Sequence, residues 1–145
     1  MLSQRTIRNK ITATGVGLHC GKKVTLTFHP ADVNTGIIFR RIDGDKVIEI
    51  PALAKYVGDT TLSTSLEKDG YKISTIEHLL SAIAGTGVDN CVIDCDGPEI
   101  PVMDGSSTEF VFLIQSAGIM EQDAAKKFIY VTKSVQVSRE DAVAR

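Results

Sequence analysis

No stretch of this sequence is apolar for long enough to span a bilayer. None approaches the roughly 20 residues a membrane helix needs, and the N-terminal Met1-Leu-Ser-Gln-Arg-Thr6 has no apolar core of the kind a secretory signal carries. The expected compartment is therefore the cytoplasm. Cysteine is scarce: Cys20, Cys91 and Cys95 are too few, and odd in number, for a secreted disulfide framework. Charge of one sign is missing as well. The net charge of −2 comes from interspersed acids and bases, and no basic run exceeds a pair (Lys22-Lys23, Arg40-Arg41, Lys126-Lys127), so nothing points to nucleic acid. Internal repeats and low-complexity tracts are also absent.

What is present suffices for one ordinary core: 145 residues, 43% hydrophobic and 23% charged. The first half reads as short strands near Thr6–Thr12, Lys23–His29, Gly36–Arg41, Val47–Ile50 and Thr61–Leu66, separated by Gly, Asp and Pro turns. Val24-Thr-Leu-Thr-Phe28 alternates cleanly, one face in and one out. Ser74 to Gly85 reads as a helix with Ser74 and Glu77 forming a capping box, Asn90–Cys95 as a strand, and Ser106 to Ala117 as a second helix opened by Ser106 with Glu109 and stopped by Gly118. Phe110, Leu113, Ile114 and Ala117 share one face of that second helix. The expected fold class is α+β, a two-layer sandwich of a mixed or antiparallel sheet with two main helices. Beyond Gln122-Asp-Ala-Ala-Lys-Lys127, a polar connector, Phe128–Val137 reads as a new strand with nothing after it to pair with.

The first helix carries the candidate chemistry. At ~100° per residue, Ile76, Leu79, Leu80 and Ile83 form one stripe, while Glu77, His78, Ser81, Ala82 and Gly85 fall on the flanks and far side. Between residues 74 and 88 Glu77 is the sole acid or Lys/Arg, so this face is expected to be covered. A neutral imidazole can hold Zn²⁺ while a neighbouring carboxylate takes a proton from an activated water. Equally, Glu77 can be a capping acid and His78 a surface residue. The two-histidine HExxH pattern is not met, because Ser74 and Ala82 stand four before and four after His78. One helix cannot complete a metal site.

Other polar groups leave the question open. Cys91 and Cys95 are spread over about 13 Å of strand at ~3.3 Å per residue, too far apart to share a metal, and read as core. His29 reads as a turn histidine before Pro30. His19 lies in Thr14-Gly-Val-Gly-Leu-His-Cys-Gly21, whose spacing is not that of a dinucleotide-binding loop. The acids Asp94, Asp96, Glu99 and Asp104 do not match a calcium loop, since Pro98 takes the third ligand position counted from Asp94. Asp104 either caps the second helix or orients a catalytic group.

Five segments in order, Thr14–Gly21, Asn34-Thr-Gly-Ile-Ile-Phe-Arg-Arg41, Ser74-Thr-Ile-Glu-His-Leu-Leu80, Gly87-Val-Asp-Asn90 and Pro98-Glu-Ile-Pro-Val-Met-Asp-Gly-Ser106, closely resemble the zinc-dependent UDP-3-O-acyl-N-acetylglucosamine deacetylases of lipid A biosynthesis in Gram-negative bacteria. The resemblance implies His78 as a zinc ligand, Glu77 as general base, Asp104 in a supporting position, His19 near the cleft, and an acylated UDP-amino sugar as substrate. It also implies two similar domains, with further zinc ligands and a catalytic histidine in the second. Residues 1–123 would then be the first domain, and 124–145 a connector and opening strand of a truncated second, so that this chain alone would be inactive. Small departures are Cys20, where Ser is common in the family, and Ser63, where many members have Cys. A rival reading is a non-catalytic module that binds a partner protein through the uncharged helix face.

Overall fold

In the computed structural model, which describes residues 2–145, the chain runs β1 (Ser3–Ile7), β2 (Ile11–Val16), β3 (Lys23–Pro30), β4 (Ile37–Asp43), β5 (Lys46–Pro51), β6 (Leu66–Lys68), β7 (Tyr71–Ile73), α1 (Glu77–Thr86), β8 (Cys91–Cys95), α2 (Thr108–Ala117), β9 (Ile119–Ala125), β10 (Val137–Arg139) and β11 (Ala142–Ala144). The principal sheet has the order β2-β3-β8-β4-β5. Its neighbours are antiparallel except β4 and β8, which run parallel. The fold is α+β with a mixed sheet and two helices, as expected. Among the described residues no helix is long and apolar enough to cross a membrane.

Period-two patterning decides which sheet face becomes core. Val24, Leu26 and Phe28 of β3, and Cys91, Ile93 and Cys95 of β8, all turn inward. They join one cluster with Leu79, Ala82 and Ile83 of α1 and Phe110, Ile114 and Ala117 of α2. Each large side chain removed from water in this way contributes about 1.5–3 kcal/mol. Burial also pushes the Cys91 thiol up to about 12 and the Cys95 thiol to about 11. Both are core cysteines, as the spacing indicated.

Several boundaries differ from expectation, each for a backbone hydrogen-bonding reason. The strand expected over Thr6–Thr12 is split, because the N–H groups of Arg8 and Asn9 turn away to donate to Gly118 O and Ala117 O at the end of α2, 2.7 and 3.1 Å. Those carbonyls have no partner within the helix. β1 consequently leaves the main sheet and pairs with β9. The polar connector is thus largely a strand, and the 123/124 division falls inside it. Thr61–Ser65 is a bent loop with Leu62 in the left-handed region (φ 62°), and pairing starts only at Leu66, with β7. Residues 128–136 form no strand; a hairpin of β10 and β11 follows instead. A strand needs a neighbour for its backbone groups, and among the described residues Phe128–Val131 finds none. Its side chains are 69–96% exposed.

Candidate active site

The start of α1 is built differently from a capping box. Ser74 is held in a short parallel bridge to Glu99: its N–H donates to Pro98 O at 3.0 Å, and Ile100 N–H donates to its carbonyl at 2.9 Å. Thr75 then turns the chain with φ 58°, a conformation unfavourable for a β-branched residue, and the helix begins at Glu77 with no side-chain cap. Glu77 is therefore free of capping duty. Its Oε2 accepts the N–H of Thr64 at 3.0 Å, which anchors the carboxylate against the bent loop through one oxygen.

His78 follows, half-buried, and its Nδ1 is buried without any hydrogen-bond partner among the described residues. A buried polar atom in that state is costly unless something occupies its lone pair or takes its proton. The Asp104 carboxyl lies within electrostatic reach of this imidazole. It is held below the usual carboxylate range first by the N–H and then the hydroxyl of Ser106, both donating at 2.9 Å, with the His78 ring adding to the effect. Ser106 Oγ in turn accepts the Thr108 N–H at 3.0 Å. The expected Ser106/Glu109 capping box is thus replaced by a relay from Asp104 through Ser106 into the first residue of α2, and Asp104 serves as both a turn former and a neighbour of His78.

Glu77 and His78 are adjacent at the start of α1, and Asp104 is linked to His78 through its charge, with no hydrogen bond between them. His19 stands on the exposed loop between β2 and β3, with no side-chain hydrogen bond to the other three. Among the described residues no three His, Cys, Asp or Glu side chains converge as a metal site. The orphaned Nδ1 beside a fixed carboxylate fits one imidazole ligand, and one alone. Ala82, expected on the free face, is 1% exposed and belongs to the core, because α2 packs on that side. The uncharged outer surface of α1 consists instead of Ser81, Ala84 and Gly85. His29 is not a turn residue but part of β3. Its Nε2 lies 2.8 Å from Asp94, which also binds Arg40 Nε at 2.5 Å.

Sequence reasoning missed Glu99. Its side chain is fully buried, and the carboxylate accepts the N–H of His19 at 3.1 Å, the N–H of Cys20 at 2.7 Å and the hydroxyl of Thr75 at 2.9 Å. Burial acts to raise its pKa, but these donors outweigh it and hold the group below the usual range. The available signal was a lone acid inside an apolar, proline-flanked run, Pro98-Glu-Ile-Pro-Val-Met103.

Comparison with known proteins settles the family. Residues 4–145 match the profile described as LpxC: UDP-3-O-acyl N-acetylglycosamine deacetylase. The chain belongs to that family. Proteins named UDP-3-O-acyl-N-acetylglucosamine deacetylase are similar to it in Saccharophagus degradans (60% identity over 141 residues, 97% of this chain and 46% of the relative), Hahella chejuensis (60% over 141 residues, 97% and 47%) and Legionella pneumophila (61% over 137 residues, 94% and 45%). This family member spans about half the length of the curated relatives it matches.

Proposed function

We propose that this chain supplies one part of a zinc-dependent site that hydrolyses the N-acetyl group of UDP-3-O-acyl-N-acetylglucosamine in lipid A biosynthesis. The observation that carries the reading is on α1. A histidine with a buried, unpartnered Nδ1 follows directly on a carboxylate tethered by a backbone N–H, and an aspartate stabilised in its charged form lies near the ring. His78 would hold the metal. Zinc, when bound, polarises an acyl carbonyl and lowers the pKa of water toward ~7.

Glu77 would take the proton from the attacking water as the C–O bond forms at the acetamide carbon. The C–N bond then breaks, the amine leaves with a proton delivered by a general acid, and acetate and the free amino sugar nucleotide result. Asp104 would orient His78 electrostatically, and His19 would border the substrate. Catalytic zinc normally takes three protein ligands. The remaining ligands and the acid for the amine are assigned to the half of the relatives' length that this chain does not span, with residues 1–123 as the first domain and 124–145 leading into the second. Residues 1–145 by themselves would then not deacetylate.

The test is Glu77→Gln in a full-length deacetylase carrying this chain as its first half. The amide oxygen can still accept from Thr64 N–H, so the loop anchor survives while the base is lost. Turnover should fall by the ~10²–10⁴ typical of general-base removal, with zinc content unchanged. Near-normal turnover refutes the assignment.

A further inference from the structure

We propose that Glu99 is a positioning residue whose buried carboxylate fixes the His19 loop against the turn that launches Glu77 and His78. The inference rests on the reading of Glu77 and His78 as the reaction centre. Three contacts converge on this one group: two successive N–H groups of the loop, from His19 and Cys20, and the hydroxyl of Thr75. Thr75 is the residue in the left-handed region two positions before α1 begins at Glu77. A single side chain thus spans two segments, one carrying His19 and the other determining where α1 begins.

The surroundings leave that loop little alternative. Val102 N–H donates to Val16 O at 3.0 Å, so the stem of the loop lies along the segment that follows Glu99. A Cβ on Gly17 would stand 2.6 Å from Glu99 Oε2, and one on Gly15 would meet Pro101 Cβ at 2.7 Å, so the glycines permit an approach that any larger residue blocks. A buried carboxylate is expensive to desolvate. A neutral group could close a loop at lower cost. A charge-assisted acceptor for successive N–H groups, at 2.7 Å on Cys20, holds them more stiffly. The same backbone stretch leads on to Asp104 at the turn before α2.

The experiment is a double-mutant cycle in a full-length deacetylase carrying this chain, with kcat and KM, zinc content, thermal midpoint and the amide proton shifts of His19 and Cys20 measured for Glu99→Gln, His19→Ala and the pair. A displacement of about 1 Å can cost ~10²-fold in rate, so Glu99→Gln should lower kcat/KM by about 10–100-fold, shift the Cys20 amide proton upfield and leave zinc content unchanged. If Glu99 acts through His19, its replacement should cost nothing further in the His19→Ala background. A general loss of folded enzyme would instead lower activity by the same factor in both backgrounds. Additive losses, or an unchanged kcat/KM for Glu99→Gln, overturn the proposal. Should Glu99→Gln fail to fold, Thr75→Val removes one donor and leaves the carboxylate in place; its smaller loss must likewise vanish without His19, and additivity there is equally fatal. Glu77→Gln run in parallel separates the two ideas: a fully active Glu77 variant overturns the site itself, whereas an inactive one alongside a normal Glu99 variant overturns only the positioning role.

Discussion

Asn90→Ala should be among the more damaging single substitutions available outside the apolar core. Asn90 is 1% exposed and sits where β8 begins, at the meeting of β1, β9 and the loop before β4. Its Nδ2 donates to Gln4 Oε1 and to Gln122 Oε1, both at 2.8 Å, and its Oδ1 accepts Gly36 N–H at 2.8 Å. Gln4 Oε1 retains a second donor in Asn34 N–H, so truncation leaves it satisfied; Gly36 N–H and Gln122 Oε1 lose the partners described here. With a net ~1 kcal/mol for each of the three hydrogen bonds lost, and with Gly36 and Gln122 half-buried so that water can replace part of what they lose, the cost comes to about 3 kcal/mol, a large share of a typical domain's stability. The urea midpoint of the purified chain, at a concentration where sizing gives a monomer, should fall accordingly with an unchanged slope. Asn90→Asp is the sharper control. Its second oxygen would face two acceptor oxygens, and neither amide can simply flip, because Gln4 Nε2 already donates to Asn34 and Ala125 O and Gln122 Nε2 to Ala31 O. The aspartate should therefore be at least as destabilising at pH 7 and partly relieved in acid, where it can donate. A harmless Asn90→Asp would refute this hydrogen-bond assignment.

Two further outcomes follow from the same geometry. His78→Ala in a full-length deacetylase should weaken zinc retention markedly in a chelator competition at neutral pH, and an unchanged affinity would return His78 to a surface role. Glu99 and Asp94 are both held below their ordinary values, in each case against the opposing effect of burial, by the donors to Glu99 and by Arg40 and His29 at Asp94. A lowered folded pKa gives stability that is complete above the unfolded value of about 4 and is lost as pH falls through the folded one. Urea midpoints of the parent chain should thus drop more steeply between pH 5 and pH 3 than those of Glu99→Gln, and parallel slopes would contradict the shift at Glu99.

The parts of the fold that one local pattern determines were legible. Alternation in Val24–Phe28, the apolar stripe of α2 and the Gly118 stop all appear as read, since each depends on residues within a turn or two. What escaped was set by partners distant in sequence. Ser74 and Glu77 have the spacing of a capping box, yet a bridge to Glu99 claims Ser74 and a loop amide claims Glu77. Residues 122–125 read as part of a polar connector because β9, to which they belong, pairs only with β1, more than a hundred positions earlier, and needs no apolar stripe. The Glu77-His78 pair was visible, and Asp104 was one of two open readings. Glu99 was read only as one acid of a turn, because its partners are backbone donors from a distant loop and the sole trace in the sequence is a lone acid in an apolar, proline-flanked run.

The burial of Cys91 and Cys95 has a practical consequence. Only the thiolate of a cysteine attacks an electrophilic reagent, and these two, shut in the core with values near 12 and 11, remain protonated at neutral pH. Cys20 is the one sulfhydryl with access to solvent, and it adjoins His19 on the loop that Glu99 anchors. Within residues 1–145 a maleimide dye or spin label would therefore mark a single position without any engineered cysteine, and would report displacement of the loop that Glu99 anchors.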